Sequence, residues 1–235
     1  MRKANSLSDE FILDSCKVGD KDIIEAITLT GCDLNIRDQH SKTPLFLITY
    51  YSHNKALQKI LKSPNLDLNL ADNEGCTPIF IASYSNNYKA IKMLLEAGAD
   101  PNIATHDGQT PLSIACARGN IASLEILLES EKLNFNFNND HHPLFLATQN
   151  GFVNILKILL DKKIFDINST DENGFTPLAL ATQYGHQLVI KLLIEEGANI
   201  DKPNNFLKTP LDIAEFKQDN KIKQMIFDAK ARRSR

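Results

Sequence analysis

Residues Thr110 to Asn136 read TPLSIACARGNIASLEILLESEKLNFN, and this one stretch decides the fold. Thr110 is placed to cap a helix by offering its hydroxyl to an orphan backbone N–H, and Pro111 suits the first helical position, where the N–H it lacks would be unpaired anyway. Leu112, Ile114 and Ala115 supply the apolar stripe of a short helix, and Gly119 stands where that helix can end in the left-handed conformation that glycine adopts without strain. Ile121, Leu124, Ile126, Leu127 and Leu128 carry the helical spacing into a second helix, after which a polar, Asn-rich stretch brings the chain back. The unit is helix, turn, helix, loop.

Outward from this copy the pattern repeats. Pro44, Pro78, Pro111, Pro143, Pro177 and Pro210 are separated by 34, 33, 32, 34 and 33 residues, and they sit in comparable segments: TPLFLITY, TPIFIASY, TPLSIACA, HPLFLATQ, TPLALATQ and TPLDIAEF. A fixed period of this length replaces the usual fold question with one of repeat architecture. Helix pairs this short cannot bury their own apolar faces, so stability must come from stacking each pair on the next, and one continuous core is expected. Burying one Leu or Ile contributes roughly 1.5–3 kcal/mol, so a change at Leu127 or Leu159 is expected to loosen two neighbouring units.

At these residues the chain resembles the ankyrin repeat family. The resemblance lies in the Thr-Pro-Leu openings, in Gly119, Gly151 and Gly185 after the first helices, and in AIKMLLEAGADPN (Ala90 to Asn102) and VIKLLIEEGANID (Val189 to Asp201); it covers nearly the whole chain. It implies an all-α solenoid of about seven helix-turn-helix units, with the loops projecting as β-hairpin fingers and the first helices lining a concave face. The expected layout is an N-terminal tail (1–7) and a single repeat domain (8–229). That domain comprises a capping unit at 8–36, repeats near 38–70, 72–103, 105–136, 138–169 and 171–202, and a C-terminal capping unit at 204–229. Asp212, Glu215, Lys217, Gln218 and Lys221 give the last unit the polar outer side an end requires. Residues 230–235 are expected to form a frayed, solvated basic tail.

The departures from the family pattern carry expectations of their own. The usual His after Thr-Pro-Leu is replaced by Phe46, Phe80, Ser113, Phe145, Ala179 and Asp212, so its polar bridge to the Thr is expected to be missing throughout, with Phe packing in its place. Ser52, Asn86 and Gln218 replace the glycine after the first helix; Ser and Gln there cost something under about 1 kcal/mol each if the left-handed turn persists. From loop Asn to helix opening the offset is 8 at Asn35, Asn69, Asn102 and Asn168 but 6 from Asn136 to His142, which predicts a shortened finger and a local change after Phe135 and Phe137. There His142 replaces the capping Thr, and Asp140 stands where Gly75, Gly108 and Gly174 form the tip of other fingers.

Composition narrows the function. In 235 residues of 26.3 kDa, 26 Lys and Arg against 29 Asp and Glu give a net charge of −3 and a pI near 6.1. No global positive field exists to hold a phosphate backbone, so nucleic acid is not expected as a partner. Cys16, Cys32, Cys76 and Cys116 are widely spaced without a C-x-x-C and read as reduced, intracellular thiols. MRKANSLSDEF turns polar before any apolar run of signal-peptide length, and the longest later apolar stretch, Pro44 to Tyr51, is far below membrane-spanning length. A cytoplasmic protein without membrane association, monomeric, is expected.

Chemistry is sparse. Asn139, Asp140, His141 and His142 are the sole cluster to consider for a metal; adjacent histidines diverge on a helix and lack a partner at ligand spacing, so no metal is predicted. G-x-S-x-G, G-x-x-x-x-G-K-[ST] and H-E-x-x-H motifs are absent, so neither an enzyme nor a cofactor is expected. The recurring Asn35, Asn69, Asn102, Asn136 and Asn168 resemble family asparagines that tie the loops by side-chain bonds, some of which are oxygenase substrates; the structural role is favoured.

What remains is recognition, for which the resemblance supplies positions. The finger set is Arg37, Gln39, His40, Lys42, Asn73, Glu74, His106, Asp107, Gln109, Glu172, Asn173, Phe175 and Phe206. The helix-end set is Tyr50, Tyr51, Tyr84, Arg118, Gln149, Asn150, Gln183 and Tyr184. Tyr and Arg are enriched in binding hot spots because they join large contact area to polar ends, which makes Tyr50, Tyr51 and Tyr84 the leading cluster. The expected function is a non-catalytic adaptor, scaffold or inhibitor that binds a protein partner. The alternative, resting on a composition heavy in Asn, Ile and Lys, is an effector exported into a host cell by an intracellular bacterium or parasite.

Overall fold

A computed structural model of the chain describes residues 7–137 and 141–233. Among these residues fourteen helices form seven consecutive pairs: α1 (Asp9–Val18) with α2 (Lys21–Leu29), α3 (Pro44–Tyr50) with α4 (Asn54–Ile60), α5 (Pro78–Tyr84) with α6 (Tyr88–Ala97), α7 (Pro111–Arg118) with α8 (Ile121–Leu128), α9 (Pro143–Gln149) with α10 (Val153–Asp161), α11 (Pro177–Tyr184) with α12 (Gln187–Glu195), and α13 (Pro210–Phe216) with α14 (Asn220–Arg233). The chain divides into two compact units, Met1–Ala115 with Ala122–Asn134, and Cys116–Ile121 with Phe135–Arg235.

In the first unit, α1 packs on α3 and α3 on α5, while α2 packs on α4 and α4 on α6. Leu45, Ile48, Leu57, Ile60, Ile79, Ile91 and Leu94 are buried completely along these two rows. In the second unit, α9, α11 and α13 form one row and α10, α12 and α14 the other, around Leu144, Leu156, Leu159, Leu178, Ile190 and Leu193. Each row is the sum of short helices whose apolar stripes meet only the next pair, as the sequence period requires.

The opening Thr does what its position demands. Thr43, Thr77, Thr176 and Thr209 are extended and accept the N–H three residues on through their hydroxyls, at 3.2, 3.3, 3.2 and 3.2 Å. The expectation that the polar bridge back to this Thr is missing throughout is corrected at two helices. In α7 the Thr110 N–H donates to Ser113 Oγ at 2.8 Å and the Ser113 N–H returns a bond to Thr110 Oγ1 at 3.1 Å. In α13 Asp212 closes a full capping box with Thr209, whose N–H reaches Asp212 Oδ2 at 2.8 Å. A short hydroxyl or carboxyl at the third helical position reaches the cap N–H, and the Thr209 hydroxyl, which donates to Asp212 Oδ2 at 2.6 Å, together with the Thr209 N–H holds the Asp212 carboxyl below its ordinary range.

The turns follow the predicted backbone. Ser52, Asn86 and Gln218 take φ of 60°, 55° and 57°, the conformation that Gly119, Gly151 and Gly185 take at the same place. The C-terminus departs from expectation. Helix α14 runs through the basic segment to Arg233, Lys230 pairs with Asp201 at 2.6 Å, and Arg233 Nη1 donates to the Ala198 carbonyl at 2.8 Å. The tail is docked because Arg233 meets the Ile194 and Ala198 carbonyls at the end of α12 while Lys230 meets a carboxylate, and of this tail Ser234 and Arg235 lie outside the described residues.

Around the shortened finger, Asn138 to Asp140 lie outside the described residues, so the Asn139 and Asp140 parts of the candidate metal cluster and the expected Asp140 tip do as well. Beside it, the His142 ring packs against Phe137, Phe145 and Phe165 at centroid distances of 6.0, 4.8 and 4.6 Å. His142 caps α9 without a side-chain hydrogen bond, its Nδ1 is buried without a partner, and burial holds its pKa below 6.5. No group of three or more His, Cys, Asp or Glu able to hold a metal occurs among the described residues.

Candidate functional site

The fingers are built by their first residue. Asp38 Oδ1 accepts the N–H groups of His40 and Lys42 at 2.8 and 2.9 Å, and Asp72 Oδ1 those of Glu74 and Cys76 at 3.0 and 2.9 Å. Asp171 does the same for Asn173 and Phe175, and Asn204 for Phe206 and Lys208. Two backbone bonds close each loop: the first residue's N–H donates to the carbonyl four residues on, from Asp38 to Lys42, Asp72 to Cys76, Thr105 to Gln109, Asp171 to Phe175 and Asn204 to Lys208, and its own carbonyl accepts the N–H three residues on. These bonds make a tight hairpin turn, and no strand occurs among the described residues.

Neighbouring fingers are zipped together by their backbones. The Asn73 N–H donates to the His40 carbonyl and the His106 N–H to the Glu74 carbonyl, at 3.1 and 3.0 Å, in the first unit. Asn205 makes the corresponding bond to Asn173 at 3.0 Å in the second. Behind the fingers the recurrent asparagines clamp the loops: Asn35 Oδ1 accepts the Asp67 N–H, Asn69 Oδ1 the Asp100 N–H, Asn102 Oδ1 the Asn134 N–H and Asn168 Oδ1 the Asn199 N–H, all at 2.7–2.9 Å.

Within each unit many of the sequence-selected residues reach the surface. Arg37 is exposed and donates from Nη1 to the Ala71 carbonyl at 2.9 Å, tying its loop to the next. Gln39, His40, Asn73, Glu74, His106, Asp107, Glu172, Asn173 and Phe206 are exposed, while Lys42, Gln109 and Phe175 are half-buried. Among helix ends, Tyr50, Tyr51, Tyr84, Arg118, Asn150, Gln183 and Tyr184 are exposed and Gln149 is half-buried. Fingers and helix ends meet: Lys42 from a finger lies 5.3 Å from the ring centroid of Tyr50 at the end of α3.

The tyrosines divide between two places. Tyr50 and Tyr51 touch edge to face at 5.1 Å, with Phe46 stacked beneath Tyr50 and His53 beside Tyr51. Tyr84 lines the next groove together with Phe80, Cys76, Glu74, Thr105, His106, Asp107 and Gln109, a recess of about 520 Å³.

Two features were missed in the sequence. Phe216 stands seven residues after Thr209, the register of Tyr50, Tyr84 and Gln183, and is 89% exposed; extending the same offset to the last unit finds it. His53 and His186 look like variable turn residues, yet His53 Nε2 contacts the Lys17 carbonyl at 2.9 Å and His186 Nε2 the Gln149 carbonyl at 2.7 Å. They tie one pair to the pair before it, and a spacing of 36 or 37 residues gives no local signal.

A match to the family model for "Ankyrin repeats (3 copies)" covers residues 12–105, 98–171 and 162–232, nearly all of these helix pairs. The chain belongs to the ankyrin repeat family. Among solved structures it is similar to EF0377, an ankyrin repeat protein, at 28% identity and a TM-score of 0.73, over 78% of this chain and 96% of that one. It is also similar in fold to the ankyrin repeat domain of Bcl-3, a unique member of the IkappaB protein family, at 19% identity and a TM-score of 0.77, over 89% and 95% of the two chains. No protein of curated function matches it in sequence. Ankyrin repeats are in general protein–protein interaction modules without catalytic activity, and this member is all-helical and repeat-built throughout its described residues.

Nucleophile chemistry finds little support in the ankyrin frame. Burial raises the thiol of Cys16 to about 12 and that of Cys116 further, and Cys76 is pushed to about 12 by burial and then by Asp72, Asp107 and Glu74. These thiols stay protonated at neutral pH, whereas the thiolate is the reactive form. No described helix is long and apolar enough to cross a membrane.

Proposed function

We propose that the protein is a non-catalytic binding module that holds a protein partner on the side where finger tips and first-helix ends converge. The observation that carries this reading is the convergence itself: fingers locked by their own Asp and by neighbouring backbone present exposed side chains beside exposed Tyr50, Tyr51 and Tyr84. A backbone ordered before binding loses little entropy on docking, so contact area at the aromatic anchors converts into affinity. Adaptor, scaffold and inhibitor are uses of this one docking act. The setting is cytoplasmic, with export into a host cell as the alternative suggested by the Asn-, Ile- and Lys-rich composition; a translocation assay separates the two.

Affinity capture with the full chain, followed by mass spectrometry and calorimetry on the captured partner, tests the reading. Tyr51→Ala and Tyr84→Ala remove half-exposed rings and should leave the circular dichroism spectrum intact while weakening the partner about tenfold or more each. Unchanged affinity in both variants would remove this surface from consideration.

A further inference from the structure

The last finger carries a residue that the fold does not ask for. Its tip is Leu207, held at φ of 58° in the place where Gly75, Gly108 and Gly174 stand in other fingers and Ser41 in the first. This left-handed backbone disfavours any residue with a Cβ, and Leu207 is exposed, so burial does not offset the strain. A strained position kept without a packing gain points outside the fold. Its surroundings point the same way: Phe206 beside it is exposed, and Phe216 at the end of α13 is 89% exposed and makes no ring contact among the described residues.

Two lysines belong to the same place. Lys208 and Phe216 stand one residue before and seven residues after Thr209, the positions of Lys42 and Tyr50 around Thr43. The backbone is alike at both: the Asn204 N–H reaches the Lys208 carbonyl at 2.9 Å as Asp38 reaches Lys42 at 3.0 Å, and both threonines cap their helices at 3.2 Å. In the first unit the pair is closed on itself, with Lys42 Nζ 5.3 Å from the Tyr50 ring centroid. In the last finger Asp212 replaces Phe46, and Lys208 makes neither a ring contact nor an ion pair among the described residues. Lys217, next to Phe216, is exposed and donates to the Gln183 carbonyl without pairing with a carboxylate. The carboxylates of this helix pair are engaged: Asp212 Oδ2 takes the Thr209 N–H and hydroxyl at 2.8 and 2.6 Å, Glu215 pairs with Lys223 at 2.8 Å, and Asp219 accepts the N–H groups that open α14. Lys208 adds a weaker pull on the Asp212 carboxyl. Glu172, exposed on the preceding finger, opposes the two cations with a single charge.

We propose that this end of the second unit docks an acidic, apolar segment of the protein partner, with a large apolar side chain lying against Leu207 and Phe216 and neighbouring carboxylates on Lys208 and Lys217. The assignment deepens the docking function and rests on it, adding a contact in the second unit to the tyrosines of the first. The partner removes from water the apolar surface that the fold leaves in it. Two ammonium groups without carboxylates of their own complement acidic side chains, fix their register and speed encounter. A neutral or basic segment would gain the first effect and not the second.

The test is a titration of the isotope-labelled full chain, at low salt, with acetyl-Glu-Leu-Glu-Phe-amide, and with versions carrying Gln or Lys for both Glu, or Ala for Leu and Phe. The acidic peptide should shift the backbone resonances of Leu207, Lys208, Phe216 and Lys217. The Gln version should bind several-fold more weakly, and the Lys and Ala versions should leave these resonances in place. Leu207→Gly relaxes the backbone, so a loss of binding in it is not a loss of fold; it should weaken the acidic peptide by about fivefold or more. Phe216→Ala, at an exposed position, should abolish the response, and Lys208→Gln combined with Lys217→Gln should bring the Glu and Gln peptides level. An acidic peptide that shifts none of these resonances, that binds Leu207→Gly and Phe216→Ala as well as the native chain, or that is matched by the Gln, Lys or Ala version overturns the proposal. If that happens while Tyr51→Ala still weakens a captured partner, only this second contact is lost. Peptide binding with every captured partner indifferent to Tyr51→Ala, Tyr84→Ala and Phe216→Ala would sink the docking function, and this assignment with it.

Discussion

At the scale of single residues, the positions that break the glycine rule are the most informative. Leu207 takes φ of 58° at the tip of its finger, where Gly75, Gly108 and Gly174 stand in others, and it is 82% exposed, so it gains little burial in return. The left-handed conformation costs an ordinary residue roughly 1–2 kcal/mol. Leu207→Gly is therefore expected to stabilise the second unit by about 1 kcal/mol after the added freedom of glycine in the unfolded chain is deducted, read as a higher urea midpoint. His142 gives a pH-dependent counterpart. Burial holds its folded pKa below 6.5, so below that pH the unfolded chain takes up a proton that the folded chain resists. Its neutral form therefore contributes fully above about pH 6.5, and the contribution is lost as pH falls toward the lower folded value. Between pH 7 and 5 the urea midpoint of the native chain should fall further than that of His142→Thr, which carries no imidazole and can cap α9 as Thr43 and Thr77 cap their helices; parallel pH profiles would refute this.

At the scale of elements, the helices were legible and the ties between them were not. Thr-Pro at a helix start and a glycine-like turn at its end act within a few residues, so their spacing along the chain fixed α3, α5, α7, α11 and α13 in advance. The finger positions came from the family resemblance, and the Asp38, Asp72 and Asp171 bonds that hold the fingers reach only two and four residues ahead. The His53 contact to Lys17 and the mutual bonds of Asn54 and Asn87 span 33 to 36 residues, and nothing local specifies them. Thr77 tests the local class, being fully buried with its hydroxyl on the Phe80 N–H. Thr77→Ala should cost about 1 kcal/mol, whereas Thr77→Ser, which keeps the oxygen, should cost clearly less; equal losses would mean that the methyl packing, not the cap, matters.

For the whole molecule, stability is expected to be additive over neighbouring pairs, because each pair meets only the one before and the one after. A defect should then spread one step and fade. Leu159 in α10 is completely buried, and α10 packs against α9 and α12. Leu159→Ala removes apolar contacts worth 2–5 kcal/mol in typical cores. Hydrogen exchange should accelerate in α9, α10 and α12, while α2 and α4, which lie in the other compact unit, keep their native rates. Uniform acceleration through both units would show one all-or-none transition, and the repeat-by-repeat account of this chain's stability would fail. Local softening of this kind matters for recognition, since the Tyr50, Tyr51 and Tyr84 surface would then stay ordered, and its partner affinity unchanged, while the pair around Leu159, in the other unit, opens.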